Sequence, residues 1–299
     1  MTIHVLTPVH NRCAVTENFL DDLYSQELDE DLRIVIVDDG STDGTSEMLL
    51  RRVESLPPRV TMSVIEGDGS WWWAESMAAA IHHCREHLGG GDVVVFMNDD
   101  ISVPCDTLAT LARSCRQRNA IVVAPVRDTE DPSRLIDRGA LLDPSTLSVE
   151  PLPNQRSPHR FTSLAVASGR SVAYPAAIFE EGLNVDHRRL PHHLADLEFS
   201  IRASRQGHPI LLAENIWVLS EDHFSSSERP TNVWHRLTDV SSPDRILSYW
   251  AFWRTVLPEL SRPFLLVRLS RYRLLPNLLM MLPGIRPLIQ SRTRMKCGK

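Results

Sequence analysis

The stretch Val93-Val94-Val95-Phe96-Met97-Asn98-Asp99-Asp100 joins five uncharged apolar residues to two adjacent carboxylates. An unbroken β-branched run of this kind is typical of a strand buried on both faces of a parallel sheet. Two acids at the end of such a strand are costly unless a cation lies beside them. A hard divalent cation that also binds substrate phosphates would meet that need. Taken alone, the pattern fits equally well a solvated turn in which an aspartate caps the next helix.

The same arrangement occurs once more, nearer the start of the chain, and a third strand-like run there ends in other polar residues. The run 33–37, apolar after Arg33, leads into Asp38-Asp39-Gly40-Ser41-Thr42-Asp43-Gly44, and the run 3–7 leads into Pro8-Val9-His10-Asn11-Arg12. Ligands of open α/β sheets bind in the crevice beyond the carboxyl ends of the strands, so these strand ends indicate one polar pocket. Acids there can accept hydrogen bonds from base and ribose groups, whereas bare phosphates would need a metal.

Apolar runs alternate along the chain with segments of helical period, which is the pattern of βαβ units. Further strands are predicted at Val60–Ile65 and Ile121–Val126, and helices at Thr16–Gln26, Thr45–Val53, Ala74–Leu88 and Thr107–Arg116. The stretch 128–158, rich in Pro, Asp, Ser and Arg, is predicted to be a partly ordered insertion or loop system. A second loop is predicted over 220–230.

Four landmarks carry a resemblance to a known family: Thr7–Arg12, Val37–Gly44, Asn98–Asp100, and His193–Ser200 followed by Arg202. Their order and spacing over about residues 1–225 resemble the family-2 glycosyltransferases of the GT-A fold. The resemblance implies an α/β fold with a Rossmann-like, mostly parallel sheet flanked by helices. We expect a catalytic domain over 1–225, with a nucleotide-binding half at about 1–127 and an acceptor-binding half at about 128–225. A basic helical C-terminal extension is expected over 226–299.

The resemblance also implies roles for the acids at the strand ends. Asp39 would accept from the base, Asp99 would contact ribose or metal, and Asp100 would bind Mg²⁺ or Mn²⁺. Asn98 takes the first place of a motif commonly written Asp-x-Asp, which leaves open how the ribose and metal contacts are shared among these residues. The expected nucleotide-binding residues are Thr7, Pro8, Val9, Asn11, Asp38, Asp39, Asp68, Asn98 and Asp99, and the expected metal ligands are Asp99, Asp100 and His223.

His223 follows the apolar segment 210–219. A lone histidine is more often a surface or packing residue than a ligand, but this one resembles a histidine that completes the metal or diphosphate site in some members of the family. The adjacent pairs His82-His83 and His192-His193 are poorer candidates, because neither has the i,i+4 spacing of a helical metal site.

Asp196 and Glu198 are the candidates for acid–base chemistry. Their segment has helical period, and an aspartate at a helix start often serves only as a cap. The resemblance places the family's general base at Asp196, where the carboxylate would take the proton of the acceptor hydroxyl. Glu198 points to a different helical face and is the alternative base or an acceptor-binding group.

The segment Gly67-Asp68-Gly69-Ser70-Trp71-Trp72-Trp73 adds aromatic surface to the expected pocket. Glycines permit a tight backbone path, and exposed indoles stack well on sugar or base. At least one of three consecutive tryptophans must pack inward, so we expect one to serve the pocket and the others the core. Trp72 and Trp73 are the candidates for catalytic or acceptor contacts.

Composition agrees with a soluble α/β enzyme, since 42% of the 299 residues are hydrophobic and 23% are charged. The five cysteines show no Cys-x-x-Cys spacing and are expected to be reduced packing thiols. No basic-plus-apolar leader is recognised at the start, so a cytoplasmic location is expected. The net charge is −6, but residues 254–299 carry ten basic residues and one acid. The acidic remainder argues against nucleic-acid binding.

The basic tail mixes leucines with arginines over 261–289. Its longest uncharged run, 274–285, is shorter than the roughly 20 residues that span a bilayer. Basic residues beside an apolar face favour anionic headgroups, so peripheral contact with the inner membrane face is the preferred interpretation. The alternatives are a helical subdomain packed on the catalytic core and a homodimer interface.

The resemblance implies an inverting transferase that moves one sugar from a nucleotide-sugar donor, such as dTDP-rhamnose or a UDP-sugar. The acceptor would be a saccharide or a lipid-linked glycan in polysaccharide or lipopolysaccharide assembly. The Gln-x-x-Arg-Trp signature of processive members is absent, which favours single additions.

Two other classes of protein stay open. A nucleotidylyltransferase would carry a glycine-rich basic loop after the first strand, whereas residues 7–12 contain no glycine. A non-catalytic carbohydrate-binding or scaffold protein would keep the fold and lose the metal site or base, but Asp99, Asp100 and Asp196 are present.

Overall fold

A mostly parallel sheet of eight strands forms the centre of the protein within the described part of the chain. The structure is a computed structural model, and it describes residues 1–152, 161–221 and 232–279. The strands are β1 Thr2–Val9, β2 Asp31–Asp38, β3 Val60–Glu66, β4 Val93–Met97, β5 Ile121–Val123, β6 Val126–Asp128, β7 Leu135–Asp137, β8 Ala140–Asp143, β9 Ser148–Pro151, β10 Phe161–Ser163, β11 Ser171–Pro175, β12 Ile210–Ala213 and β13 Val218–Ser220. The order across the central sheet is β10-β12-β5-β11-β4-β1-β2-β3.

Helices cover both faces of this sheet. They are α1 Cys13–Tyr24, α2 Thr45–Val53, α3 Trp73–Arg85, α4 Thr107–Arg118, α5 Ala177–Glu180, α6 Ala195–Ser204, α7 Val233–Thr238, α8 Ile246–Val256, α9 Arg262–Leu269 and α10 Leu275–Leu279, with a π-helical turn at Ser270–Leu274. None of the helices in the described ranges combines the length and hydropathy that crossing a bilayer requires.

The run Val93–Met97 is buried on both faces, as its uninterrupted apolar character predicted. Val94 and Phe96 belong to the apolar cluster formed with α3, α6, α8 and α9. Val93, Val95 and Met97 belong to the cluster formed with α1, α2 and α4. The α/β fold with a mostly parallel sheet flanked by helices is therefore confirmed.

Strand β11 is the antiparallel element at the centre of the sheet. It pairs with β4 on one side and with β5 on the other. β1, β2, β3 and β4 are mutually parallel, and their carboxyl ends meet at one edge of the sheet. This edge carries the acid pairs that the sequence singled out.

Two sequence predictions need correction. The predicted strand Ile121–Val126 is divided into β5 and β6, which belong to different sheets; Pro125 lies at the break and has no backbone N–H to donate to a ladder. The predicted loop system 128–158 contains β7 and the hairpin of β8 and β9, although residues 153–160 lie outside the described part.

The helices after residue 231 share the core of the sheet. Trp253 of α8 and Leu265 of α9 are fully buried in the same cluster as Phe96 and Phe199. Packing on the catalytic part was one interpretation of the basic tail, and the described residues to 279 pack in this way. Residues 280–299 lie outside the described part, and the domain division at residue 225 stays a prediction.

Candidate active site

A cleft of about 580 Å³ lies at the carboxyl ends of β1, β2 and β4. Its lining comes from three strand ends, from the tryptophan segment, and from the loop before α6. The lining residues include Pro8, Val9, His10, Arg12, Asp39, Trp71, Trp72, Trp73, Asn98, Asp99, Asp100 and His192. The strand ends thus form one pocket, as parallel strands require.

Asp39 is held in place by backbone groups of the loop opposite. Its Oδ1 accepts from the N–H of Gly69 at 2.9 Å, and its own N–H donates to the carbonyl of Val9 at 3.0 Å. A Cβ at Gly67 would lie 2.6 Å from Asp39 Oδ1, and one at Gly40 would lie 2.7 Å from Gly69 N. Only glycine allows the two loops to approach this closely. Asp39 is 7% exposed and faces the cleft.

Asp99 and Asp100 both lie beside one guanidinium group. Arg12 Nη1 is 3.2 Å from Asp99 Oδ1 and 3.4 Å from Asp100 Oδ2. Asp99 also accepts from the hydroxyl of Thr16 at 2.8 Å. Burial raises the pKa of Asp99, whereas Arg12 and the Thr16 hydroxyl oppose the increase. The cation that the acid pair requires is therefore supplied in part by the chain itself.

Asp100 keeps one acceptor atom unused. Its Oδ1 is buried and has no hydrogen-bond partner among the described residues. Its Oδ2 lies 3.9 Å from Nη2 of Arg170, and its carbonyl accepts from Ser220 at 2.9 Å. Burial lowers the pKa of Arg170, while Asp100 and Asp196 oppose this effect. Arg170 is thus an electrostatic neighbour of both ends of the expected site.

The acid pair fits a divalent cation that is completed by substrate. The described part of the chain contains no cluster of three or more His, Cys, Asp or Glu side chains able to hold a metal. Mg²⁺ commonly takes one or two carboxylates and fills its other positions with phosphates and water. The unused Oδ1 of Asp100 beside Asp99 suits that mode of binding. His223 lies outside the described residues, so its expected role stays a prediction.

Several expected nucleotide-binding residues are instead engaged within their own loops. Asp38 accepts from the N–H of Ser41 at 3.1 Å and from the hydroxyl of Ser46. Asn11 accepts from the N–H of Thr42 at 2.7 Å and adopts a positive φ of 51°. Neither they nor Asp68 and Thr7 line the cleft. Asp68 accepts from the N–H of Ser70 at 2.9 Å, and Thr7 is fully buried with a hydroxyl that has no partner among the described residues.

All three tryptophans line the cleft, so the expectation that only one would serve the pocket is wrong. Trp71 and Trp73 also pack against the core cluster. Trp72 is 41% exposed, and its ring centroid lies 5.2 Å from that of His192. Trp73 donates from Nε1 to Asn98 Oδ1 at 3.2 Å, so the Asn98 side chain fixes the position of the indole.

Asp196 lies in the first turn of α6, next to Trp73. Its Oδ2 accepts from the N–H of Gly169 at 2.8 Å, and its Oδ1 accepts from the N–H of Leu197 at 2.8 Å. A Cβ on Gly169 would lie 2.7 Å from Trp73 Cζ2 and 3.2 Å from Asp196 Cβ. The three groups therefore pack together, and of them only Trp73 lines the cleft. Leu194 occupies the cap position of α6, so Asp196 is not the helix cap.

Burial raises the pKa of Asp196, whereas the N–H groups of Gly169 and Leu197 oppose the increase. A carboxylate whose pKa is raised by burial is a stronger base than a solvated one. The raised pKa suits a proton acceptor, and Asp196 lies behind the lining of the cleft.

Glu198 occupies a different environment. It is fully buried, and Oε1 and Oε2 accept from Arg202 Nε at 2.8 and 2.9 Å. The hydroxyl of Thr255 in α8 donates to Oε1 at 2.8 Å. Because both oxygens are engaged away from the cleft, the geometry favours a structural role for Glu198 over the alternative roles of base and acceptor ligand.

A model of the family described as "Glycosyl transferase family 2" matches residues 4–181, which is more than half of the chain. The chain belongs to glycosyltransferase family 2. Its match includes the strand ends that form the cleft, together with β11. A search of curated proteins found no match.

Solved structures with a similar fold include GT-A glycosyltransferases. TarS from S. aureus is 14% identical with a TM-score of 0.56, and the match covers 88% of this chain but only 44% of that one. The mannosyltransferase PcManGT from Pyrobaculum calidifontis, in complex with GDP-Man and Mn²⁺, is 16% identical with a TM-score of 0.56, covering 99% and 81%. GalNAc-T7 with UDP, GalNAc and Mn²⁺ is 15% identical with a TM-score of 0.61, covering 85% and 48%. At these identities the likeness establishes the fold alone.

Arg12 and His192 line the cleft of this family-2 glycosyltransferase, and Arg170 lies beside Asp100, but none of the three was among the predicted site residues. Arg12 ends the motif Thr7–Arg12, and its position just after a strand end is the sequence signal that points to it. His192 was set aside as a poor metal candidate, yet it lines the cleft. Arg170 gave no signal, because it comes 70 positions after Asp100 and only the pairing of β11 with β4 brings them together.

Proposed function

We propose that this protein is an inverting glycosyltransferase that transfers one sugar from a nucleotide-sugar donor to a saccharide or lipid-linked acceptor. The observation that carries the proposal is the convergence of Asp39, Asp99 and Asp100 in one cleft, with Asp196 in contact with the cleft residue Trp73 through Gly169. This arrangement offers a nucleotide site and acids for a metal within the cleft, with a candidate base one residue contact behind its lining.

The donor side follows from the acids and the tryptophans. Asp39 has a fixed carboxylate that can accept hydrogen bonds from a base, and the aromatic lining offers stacking surfaces for base or sugar. The mannosyltransferase was solved with GDP-Man, and TarS with UDP and UDP-GlcNAc. A UDP-sugar or dTDP-rhamnose is our candidate donor.

Asp100, with Asp99 beside it, would hold Mg²⁺ or Mn²⁺. Such an ion supplies charge neutralisation for the departing nucleoside diphosphate. Arg12 lies within hydrogen-bonding distance of Asp99 and contributes a fixed positive charge at the same place. Arg170 adds a second one near Asp100. These guanidinium groups stabilise negative charge that develops on the leaving group.

Asp196 performs the proton transfer. Its carboxylate removes the proton from the acceptor hydroxyl as the hydroxyl oxygen attacks the anomeric carbon of the donor sugar. The new glycosidic bond forms while the bond from the anomeric carbon to the diphosphate oxygen breaks. Displacement from the opposite face inverts the configuration at that carbon.

The proposal is tested first by ligand-dependent stability. Purified protein is heated with a panel of nucleoside diphosphates and nucleotide sugars in Mn²⁺, in Mg²⁺ and in chelator, because ligands of the native state raise its apparent stability. We expect a metal-dependent increase in Tm with one nucleotide class, lost in Asp100→Ala. Absence of any nucleotide shift in the folded wild type would contradict the proposal.

A further inference from the structure

A second cavity of about 550 Å³ shares no lining residue with the active-site cleft. It lies between α8, the start of α9 and the segment that precedes α6. Its lining includes Arg188, Arg189, Arg245, Arg254 and Arg262, and no carboxylate. We refer to these five residues as the arginine pocket.

Several donors of the arginine pocket have no partner within the described residues. Arg188 and Arg262 are exposed, and no hydrogen bond or ion pair joins them to a described residue. The Nε of Arg245 is buried without a hydrogen-bond partner there. Arg189 pairs with Asp186, which compensates one of the five charges. An unmatched group of like charges is unfavourable until an anion enters.

The floor of the pocket is apolar. Leu247, Trp250, Ala251 and Arg254 follow one another at the i, i+3, i+4, i+7 spacing of a single face of α8. Leu247 is 58% exposed, so this face is open to a ligand. Trp253, on a different face of α8, is fully buried in the core. The helix therefore presents an apolar surface directly beside the arginines.

We propose that the arginine pocket binds the phosphate or diphosphate head of an amphiphilic acceptor, with its apolar chain on Leu247 and Trp250. Planar guanidinium groups bind phosphate oxygens through paired, charge-assisted hydrogen bonds. A simple soluble anion would use the arginines and leave the apolar floor uncovered. The combination favours an anion that carries a hydrocarbon chain.

The pocket is a neighbour of the cleft along the chain. Arg189 lines the pocket and His192 lines the cleft, three residues later. Three extended residues span about 10 Å at most. A head group bound in the arginine pocket therefore leaves an attached saccharide close to the cleft. Naming the ligand an acceptor rests on the proposed function, whereas its amphiphilic phosphate chemistry does not.

The test is calorimetric titration of the full chain with farnesyl diphosphate, compared with inorganic pyrophosphate and with farnesol. Chelator is present throughout, which removes metal-dependent diphosphate binding in the cleft. We expect farnesyl diphosphate to bind at least about tenfold more tightly than the head or the chain alone. Equal affinities for farnesyl diphosphate and pyrophosphate would reduce the site to a simple anion site and overturn the proposal.

Variants locate the binding. The double change Arg188→Gln with Arg262→Gln is expected to weaken farnesyl diphosphate binding by about tenfold or more, since charge-assisted hydrogen bonds are lost. Leu247→Ser should weaken farnesyl diphosphate binding and leave pyrophosphate binding unchanged. The matched control is Arg51→Gln, an exposed arginine of α2 outside the pocket. Unchanged binding in the double variant, or equal losses in the control, would overturn the assignment.

Further outcomes distinguish a membrane lipid from a free amphiphile as the source of the phosphate, and distinguish failure of the pocket proposal from failure of the transferase proposal. Binding to phosphatidylglycerol vesicles that depends on the arginines, without saturable binding of farnesyl diphosphate, would show a general membrane contact and overturn the acceptor site. A nucleotide-dependent increase in Tm without farnesyl diphosphate binding would overturn the proposed role of the arginine pocket and support the proposed glycosyltransferase function. Farnesyl diphosphate binding without any increase in Tm on adding nucleotides would support the proposed ligand of the arginine pocket and contradict the proposed glycosyltransferase function.

Discussion

Asp196 is the residue on which the proposed chemistry depends most directly. Burial raises its pKa above the usual value, so the rate should fall as the pH decreases through that raised pKa. Asp196→Asn removes the base and should lower kcat by about 10²–10⁴-fold. Nucleotide-dependent stabilisation measured in parallel should persist, since the change leaves the donor side intact. Full turnover by the asparagine variant would assign the base elsewhere.

Gly169 lets Trp73 and Asp196 approach each other. A Cβ at this position would lie 2.7 Å from the Trp73 ring, so Gly169→Ala must displace the ring or the backbone. We expect a stability loss of about 1–3 kcal/mol, as for other overpacked sites, together with reduced turnover. Gly90→Ala is the matched control, because nothing lies within 4 Å of its Cβ position. Urea unfolding and initial rates measure both effects, and equal behaviour of the two variants would contradict the close contact.

His192 makes stability dependent on pH. Burial, with a contribution from His193, lowers the pKa of His192 from 6.5 to about 4. Between these values the unfolded chain binds a proton that the folded chain does not, so the free energy of unfolding decreases as the pH falls from 6.5 to 4. The upper limit is about 3 kcal/mol. His192→Phe keeps a ring against Trp72 and should flatten this slope; urea titrations at several pH values that give identical slopes would refute it.

At the scale of elements, Glu198 fastens α6 to α8. Its carboxylate binds Arg202 within α6 and Thr255 of α8, and it is fully buried. Glu198→Ala would leave a poorly compensated guanidinium and should destabilise the protein by about 3–5 kcal/mol. The folded fraction of the milder Glu198→Gln should retain turnover. Lost turnover at unchanged stability would instead make Glu198 the base.

The long helices and the buried strands could be predicted from periodicity, and α2 has the predicted bounds Thr45–Val53. Boundaries set by tertiary contacts could not. Nothing in the apolar run 121–126 indicates that the residues before Pro125 and the residue after it belong to different sheets. Likewise, the polar stretch 128–158 forms β7, β8 and β9 through pairing with segments that periodicity does not reveal. The local sequence pattern thus predicted the helices and strands more reliably than it predicted which strands pair with each other.

At the scale of the whole molecule, the helices after residue 231 and the central sheet share one core. Trp253 is fully buried in it, whereas Trp234 is 61% exposed. Trp253→Ala should lower the free energy of unfolding by about 3–5 kcal/mol, and Trp234→Ala should have little effect. Because the core is shared, calorimetry should show one cooperative transition. Two separate transitions would indicate that the C-terminal helices fold independently.

The position of the cleft was predictable, because the ends of neighbouring parallel strands converge, whereas the placement of Thr7, Asn11, Asp38 and Asp68 outside its lining was not. The arginine pocket was not, because its residues come from 188–189 and 245–262 and meet only through tertiary packing. The same holds for Arg170, which β11 brings beside Asp100. Sequence pattern identifies sites built at strand ends, while sites built between helices require the fold.

The position of β11 has a consequence for synthesis on the ribosome. β4 and β5 are made early, but the strand that lies between them ends only at Pro175. Until then a nascent chain carries the unpaired edge of β4, which invites pairing with other chains. Completion of the sheet must therefore wait for more than half of the polypeptide to emerge, and chaperone protection is most valuable during that interval.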